Sequence, residues 1–306
     1  MKRLGVIGSI NRDTITTAGG RQTRSLGGVL YTALALAFLG MGRFEAWLLC
    51  KYGQDVASQV KNLLARCPNL RSDGARVVPE PNFHSRIHYF VDGLKSECLS
   101  GNIEPLGLRD LDPFIPELDA LLINFISGFE LELETLIAIR KKFQGFILMD
   151  VHSLTLGRGE SGERFWEKPA GWEHWLAQAD LVQMNEEEAA LLADFSSPEP
   201  GALREFALGV LDLGPRWVVI TRGVEGALGA YRQDAHKHLC EQLAWMPEKA
   251  CEPTGCGDVF LAGLSTGLCN GKGLPEAMAI ASRAAGLNSR LQGVGSLKQL
   301  AEVQVN

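Results

Sequence analysis

The fold is decided by the stretch Glu252-Pro253-Thr254-Gly255-Cys256-Gly257-Asp258, which runs into the apolar segment Val259-Phe260-Leu261-Ala262-Gly263-Leu264. Small residues lead directly into a predicted helix, so the free backbone N–H groups of its first turn point at whatever lies above it. Together with the positive end of the helix dipole, these groups form an anion site. Asp258 is placed to accept a proton from a substrate hydroxyl. The alternative is a glycine-rich turn in which Asp258 only favours the helix dipole, and this stretch alone does not decide between them.

The rest of the chain alternates buried strands with helices. Apolar runs predict strands at Leu4–Ile10, Ala46–Cys50, Ala120–Phe125, Phe146–Asp150, Leu181–Met184 and Trp217–Thr221. Helical patterns lie between them at Val29–Leu39, Val56–Ala65, Leu131–Phe143, Glu186–Ala193 and Leu203–Leu211. This alternation predicts an α/β fold with a mostly parallel sheet that helices cover on both faces.

Two segments interrupt the alternation. Arg12 to Ser25 is polar, and His84 to Asn102 alternates apolar and polar residues around Asp92-Gly93. An Asp-Gly pair between alternating runs is a strong hairpin signal. The two segments therefore predict a small antiparallel sheet that projects from the main domain.

Composition restricts the possible partners. The chain has 306 residues, of which 46% are hydrophobic, and its 36 acidic and 30 basic residues give a net charge of −6. No basic run is present of the kind that nucleic-acid-binding proteins show. Ser25 to Gly42 carries no charge, but its apolar core is only Val29–Leu39, a length that favours a buried helix over a membrane span. We therefore expect a small-molecule partner, no nucleic acid and no membrane.

The cysteine pattern favours a reducing compartment. The seven cysteines are odd in number and include no C-x-x-C pair, which argues against a disulfide framework and against a zinc site. The apolar run after Met1 ends too early for a secretory signal peptide, and a buried first strand explains it better. We expect the protein to be cytoplasmic.

The glycine-rich heptad resembles the D-T-x-G-A-G-D signature of the ribokinase-like (PfkB) carbohydrate kinase family. Further segments resemble the family's other motifs in the same order along the chain. These are Gly8-Ser9-Ile10-Asn11-Arg12-Asp13, the glycine pair Gly27-Gly28, Gly53-Gln54-Asp55, Asn185-Glu186-Glu187-Glu188, and Thr221-Arg222-Gly223-Val224-Glu225-Gly226.

The resemblance implies a fold and a division of the chain. The fold is a three-layer α/β/α sandwich with a mostly parallel central sheet and a small β lid. Residues 1–10, 26–82 and 103–306 would form the main nucleotide-binding and catalytic domain, and residues 11–25 and 83–102 the substrate lid. Lid edges of this family often pair between subunits, so a homodimer through the lid is an open expectation, and polar lid residues that cap these edges are the alternative.

The resemblance also implies an activity and a set of site residues. The family transfers the γ-phosphate of ATP to an alcohol group of a sugar, nucleoside or related polyol. Asp258 would then be the base, and the N–H groups of Gly255, Cys256 and Gly257 would stabilise the transferring phosphoryl group. The other implied roles are Mg²⁺ binding by Glu188, nucleotide binding by Asn185, Thr221, Gly223 and Gly226, and substrate binding by Asn11, Asp13, Gly27 and Gly28. For Asn185 and Glu188, a helix cap followed by acids is the plain alternative, and both interpretations can hold together.

Departures from the family pattern limit what is carried over. The heptad begins Glu252-Pro253 where the family has Asp-Thr, which makes a monovalent-cation site doubtful. Tyr31 and its neighbours replace the Lys and Asn that ribokinase carries after the glycine pair, so ribose is not the expected acceptor.

We favour a sugar, sugar acid or polyol as the acceptor. The alternatives are a nucleoside kinase of the same fold and a catalytically weakened nucleotide- or sugar-binding regulatory protein. A Rossmann dehydrogenase is a weaker alternative, because the first strand is not followed by G-x-G-x-x-G.

Overall fold

The fold is given by a computed structural model that describes residues 1–92, 94–247 and 254–303; Gly93, Glu252 and Pro253 lie outside the described residues. The strands are β1 (Lys2–Ile7), β2 (Ile10–Thr16), β3 (Gln22–Gly28), β4 (Phe44–Gly53), β5 (Leu70–Arg71), β6 (Ala75–Val78), β7 (His84–Tyr89), β8 (Lys95–Ser100), β9 (Ala120–Asn124), β10 (Phe146–Asp150), β11 (Leu156–Arg158), β12 (Arg164–Trp166), β13 (Leu181–Asn185), β14 (Trp217–Thr221), β15 (Ala227–Gln233) and β16 (His236–Gln242). The helices are α1 (Val29–Leu39), α2 (Ala57–Leu64), α3 (Leu108–Leu111), α4 (Leu133–Lys142), α5 (Trp172–Leu176), α6 (Glu186–Leu192), α7 (Pro200–Val210), α8 (Cys256–Cys269) and α9 (Leu274–Asn288).

A large mixed sheet forms the centre of the molecule. Among the described residues its strand order is β16-β15-β14-β13-β10-β9-β1-β4-β5, with β6 also paired to β4. The strands from β14 to β5 are parallel, whereas β15 and β16 are antiparallel additions at one edge. The predicted α/β fold class with a mostly parallel sheet is confirmed.

Hydrophobic cores lie on both faces of this sheet, which makes three layers. One core takes residues from α1, α2, α8 and α9, including Leu30, Val60 and Leu264. The other takes residues from α3 to α7, including Leu136 and Leu203. Parallel strands buried on both faces are continuous apolar runs, and this is why they could be found from the sequence.

Helix α1 spans the residues that the sequence predicts, Val29–Leu39. It carries no charged residue, and its members are buried except for Phe38, which is half-buried. It begins directly after Gly28, whose φ of 65° is in the region that favours glycine. No helix within the described part of the chain is both long and apolar enough to cross a membrane.

A smaller sheet stands apart from the large one, with the order β3-β2-β7-β8. The prediction of an antiparallel sheet was wrong, because the sheet is mixed. Strand β3 pairs antiparallel with β2, and β8 pairs antiparallel with β7, but β2 and β7 pair in parallel. The strand predicted at Leu4–Ile10 was also wrong at its end: β1 stops at Ile7, and Ile10 already begins β2. The chain leaves the large sheet at Gly8, where a side chain would overlap Val29. The division into a main domain and a lid at residues 11–25 and 83–102 stays a prediction.

Candidate active site

Polar residues gather at one edge of the large sheet. Asn124, Asp150, Asn185 and Thr221 are the last residues of β9, β10, β13 and β14. Because these strands are parallel, their carboxyl ends share one edge, where ligands of open α/β sheets bind. The start of α8 with Asp258 lies against this edge, since Asp258 contacts Asn124.

The first turn of α8 places the buried Asp258 carboxylate beside the backbone N–H groups at the start of the helix. Gly255 precedes the helix with a φ of 77°, and a side chain there would overlap the ring of Tyr31. The Nδ2 of Asn124 donates to Asp258 Oδ1 at 2.6 Å and to Thr32 Oγ1 at 2.9 Å. Burial raises the pKa of Asp258 to about 6, although the Asn124 hydrogen bond lowers it. Asp258 therefore titrates close to neutral pH, as a general base would.

The predicted anion-binding residues have different surroundings. A Cβ on Gly257 would meet no atom of the described residues within 4 Å. The Cys256 side chain turns towards α9, where its thiol donates to Ala285 O at 3.4 Å and accepts from Asn288 at 3.4 Å. Its side chain is thus engaged away from the helix axis, which fits a contribution from the backbone alone.

A second buried carboxylate, Asp150, is tied to the same helix. Gln183 Nε2 donates to Asp150 Oδ2 at 2.9 Å and to the Gly257 carbonyl at 3.0 Å. Burial, followed by the charges of Glu188 and Asp258, raises the pKa of Asp150 well above its ordinary value. Gln183 thereby connects the end of β10 to the first turn of α8.

Glu188 is the third residue of helix α6, and its side chain caps the start of the helix. Its carboxylate accepts from the backbone N–H of Asn185 at 2.8 Å, and the Asn185 side chain accepts from the Glu188 N–H at 2.8 Å. This is a capping box, as the plain alternative expected. Burial nevertheless raises the pKa of Glu188 to about 7, so the carboxylate is more than a surface cap.

The carboxylates at this edge fit a divalent cation. Asp150 and Glu188 are both buried and act on each other electrostatically, and a cation between them would relieve that repulsion. Within residues 1–92, 94–247 and 254–303, no set of three or more His, Cys, Asp and Glu is arranged to hold a metal. Mg²⁺ needs no such set, because it keeps several waters and is usually held by one or two carboxylates plus substrate phosphates.

The residues predicted to bind substrate lie where the small sheet meets α1. Asn11 and Asp13 are buried on β2, and Asn11 pairs with Gly27 across the sheet. A side chain at Gly27 would overlap the Asp13 carboxylate, and one at Gly28 would overlap the Ser9 carbonyl. The Tyr31 ring lies between Gly27 and Gly255, so this group adjoins the start of α8.

The residues predicted to bind nucleotide follow the next strands along the edge. Thr221 ends β14 in register with Asn185. Gly223 and Gly226 have φ angles of 52° and 100° in the turn that follows, and a side chain at Gly226 would overlap the Gln242 carbonyl. Asp258 contacts the end of β9, and β14 lies one strand beyond β13, which carries Gln183. Thr221 and the turn after it are therefore further along the edge from Asp258 than Gln183 is.

Sequence reasoning missed Asn124 and Gln183, which hold the buried carboxylates. Both were included in predicted strands, Ala120–Phe125 and Leu181–Met184, but were given no role. The available signal was an amide side chain inside an otherwise apolar strand. Such a group must find a partner when it is buried.

Comparison with known proteins assigns the family. A sequence profile described as pfkB family carbohydrate kinase matches residues 135–299, more than half of the chain. The chain belongs to the pfkB family of carbohydrate kinases. The matched segment includes the capping-box motif, the Thr221–Gly226 segment and the start of α8.

The individual proteins that match the chain share only about a fifth to a quarter of its residues in the aligned regions. The ATP-dependent 6-phosphofructokinase of Thermoanaerobacterium thermosaccharolyticum is 24% identical over 172 residues, which are 56% of this chain and 48% of that protein. The match thus spans about half the length of this curated relative. Among solved structures, ribokinase from Thermotoga maritima is 21% identical with a TM-score of 0.75, covering 99% of this chain and 98% of that one. A pyrophosphate-dependent kinase in the ribokinase family, solved with sulfate, is 19% identical with a TM-score of 0.79, covering 99% and 100%. At these identities the structures show a shared ribokinase fold.

Proposed function

We propose that this pfkB-family chain is an ATP-dependent kinase that phosphorylates an alcohol group of a sugar, sugar acid or related polyol. The observation that carries the proposal is the buried Asp258 carboxylate in the first turn of α8, with a pKa raised to about 6 beside the N–H groups of Gly255, Cys256 and Gly257. The substrate hydroxyl gives its proton to Asp258, its oxygen bonds to the γ-phosphorus, and the bond to ADP breaks. The three N–H groups stabilise the charge on the transferring phosphoryl group.

The donor side is assigned to the strand ends beyond Asp258. Asn185, Thr221, Gly223 and Gly226 bind the nucleotide, and Glu188 holds Mg²⁺ through water together with the phosphates. Mg²⁺ supplies neutralisation of phosphate charge when bound. The pKa of Glu188, raised to about 7 by burial, supports this role because binding a cation offsets the cost of ionising the buried group.

The acceptor side is assigned to the small sheet. Asn11, Asp13, Gly27 and Gly28 bind substrate hydroxyls, and the sheet acts as a lid that excludes water from the phosphoryl group. Two copies pair through the lid in a homodimer. The enzyme acts in the cytoplasm. Turnover with and without potassium tests whether Glu252 and Pro253, which stand where the family has Asp-Thr, still allow a monovalent-cation site.

The first test is ADP release with ATP and Mg²⁺ over a panel of sugars, sugar acids, inositols, nucleosides and sugar monophosphates, with and without potassium. A parallel series replaces ATP by pyrophosphate, because one structural neighbour is a pyrophosphate-dependent kinase. Asp258→Asn should lower turnover by roughly 10²–10⁴-fold, the usual contribution of a general base. Asp73→Asn is the matched control, because Asp73 is an exposed surface carboxylate paired with Arg71.

The outcomes separate the alternatives. Turnover with a polyol that is lost in Asp258→Asn and kept in Asp73→Asn supports the proposal. Turnover with nucleosides alone identifies a nucleoside kinase. ATP binding without turnover of any acceptor would favour the regulatory alternative and contradict the proposal.

A further inference from the structure

Asn124 is the residue in direct contact with the proposed base, and it comes from a distant part of the chain. It is completely buried at the end of β9, and its Nδ2 lies 2.6 Å from Asp258 Oδ1, 134 residues further on. The same nitrogen donates its other hydrogen to Thr32 Oγ1 on α1 at 2.9 Å. One amide nitrogen therefore connects β9, α1 and α8 at the reacting centre.

The orientation of the Asn124 amide leaves one of its polar atoms without a hydrogen bond to any described residue, which costs free energy. Its Oδ1 is buried and has no hydrogen-bond partner within the part of the chain that the structure describes. Buried polar atoms of folded proteins are nearly always satisfied, so an orphaned one needs a compensating gain elsewhere. The gain here is the charged hydrogen bond to Asp258, because an ionised carboxylate only accepts and requires the nitrogen to face it.

From this geometry we propose that Asn124 is the positioning residue of the base, and that its amide both aims the Asp258 carboxylate and keeps it ionised at neutral pH. This inference rests on the proposed function of Asp258. Without the amide donor, nothing else described in direct contact offsets the burial of this carboxylate except its own backbone.

Other charges near Asp258 act in the opposite direction or lie too far out to help. Asp150 on β10 interacts with it as a second carboxylate, and Glu188 on α6 interacts electrostatically with Asp150. Tyr31, next to Gly255, is the titratable residue of α1. On α9, Glu276 and Arg283 are exposed. The Asn124 donor is thus the contact that favours the charged form.

The test follows the ionisation of Asp258 by carboxyl-carbon NMR titration and by the pH dependence of kcat. A hydrogen bond to an ionised carboxylate typically lowers the pKa of that carboxylate by about one unit or more. Its removal in Asn124→Leu should therefore raise the titration midpoint of Asp258 by about one unit. The acid limb of kcat should move by the same amount, which lowers turnover near pH 6 roughly tenfold relative to the variant's own plateau. Thr32→Val removes only the second acceptor of the amide and should move the midpoint less.

If Asn124→Leu does not fold, Asn124→Asp keeps the size and shape of the side chain but lacks the N–H donor. Its added carboxylate should raise the midpoint further. An unchanged midpoint and acid limb in a folded variant would overturn the inference, while loss of turnover in Asp258→Asn would still support the proposed function. Conversely, a shifted midpoint together with full turnover of Asp258→Asn would remove Asp258 as the base and leave the contact with Asn124 standing.

Discussion

Burial gives the carboxylates at the sheet edge their chemistry. In water, Asp and Glu are ionised well below neutral pH, but burial raises the pKa of Asp258 to about 6 and that of Glu188 to about 7. Groups that titrate near the working pH can exchange protons with substrate or yield them to a cation. The same burial makes the stability of the folded chain depend on pH.

This dependence can be isolated at Glu188. Its pKa is higher in the folded chain than in the unfolded one, so its contribution is fully present below about pH 4 and is lost as pH rises through about 7. Glu188→Gln cannot ionise, and its oxygen can still accept the Asn185 N–H. Between pH 5 and 8 the variant should therefore lose less unfolding free energy than the wild type, by an amount on the order of 2 kcal/mol.

The measurement is urea unfolding over this pH range without added metal, repeated with Mg²⁺. We expect Mg²⁺ to stabilise the wild type more at pH 8 than at pH 5, because protons compete with the cation, and to stabilise Glu188→Gln less. Glu187→Gln, on the same turn but exposed, is the matched control. Equal pH dependence in wild type and Glu188→Gln would show that Glu188 is only a helix cap.

At the scale of elements, helix α8 is a buried helix that begins at the proposed reacting groups. Residues Asp258 to Cys269 are all buried, and Gly263 and Gly267 allow α9 to approach closely at Ala281 and Ala277. A helix fixed in this way cannot shift its first turn independently of the core. The first turn of α8, which is proposed to bind the phosphoryl group, is therefore held in place by packing far from it.

The first turn of α8 offers a matched pair of glycine substitutions. Gly255→Ala forces a φ of 77° on alanine and overlaps the Tyr31 ring, so it should cost about 1–3 kcal/mol of unfolding free energy. Gly257→Ala meets nothing within 4 Å and should leave stability within about 0.5 kcal/mol, while it raises the KM for ATP because the phosphates approach that backbone. Thermal unfolding and kinetics check both, and an unchanged KM in Gly257→Ala would place the phosphates elsewhere.

At the scale of the whole molecule, the tip of the small sheet is apolar and exposed. Phe90, Val91 and Leu94 lie around the β7–β8 turn, and Val91 is 92% exposed. Exposed apolar patches of this kind mark interaction surfaces, which supports the proposed dimer through the lid.

The mass in solution tests this arrangement. Light scattering should give twice 33.3 kDa for the wild type and a concentration-dependent decrease for Leu94→Asp, which places a charge in the patch. Leu243→Asp is the control, because Leu243 is also well exposed, at 78% against 66% for Leu94, but lies after β16 on the large sheet. A wild-type mass of 33.3 kDa at all concentrations would remove the dimer.

Local patterns were sufficient for most of the large sheet. The predicted Phe146–Asp150, Trp217–Thr221 and Val29–Leu39 agree with the structure residue for residue, because buried parallel strands and an uncharged helix leave continuous apolar runs. Helix α7 begins at Pro200, three residues before the predicted Leu203, since the intervening Pro200, Gly201 and Ala202 add no large apolar residue to the pattern. Strands β2 and β3 were not predicted individually because their sequence is polar.

The sequence by itself determined the alternation of buried strands and helices, the family motifs and the candidate base Asp258, since each depends on neighbouring residues. Only the tertiary structure decided which side chains hold that base. Asn124 meets Asp258 across 134 residues, and Gln183 meets Gly257 across 74. These contacts depend on the strand order β13-β10-β9 and on the packing of α8 against the sheet, which no local pattern encodes. The raised pKa of Asp258 arises in the same way, because burial exists only after these elements have packed.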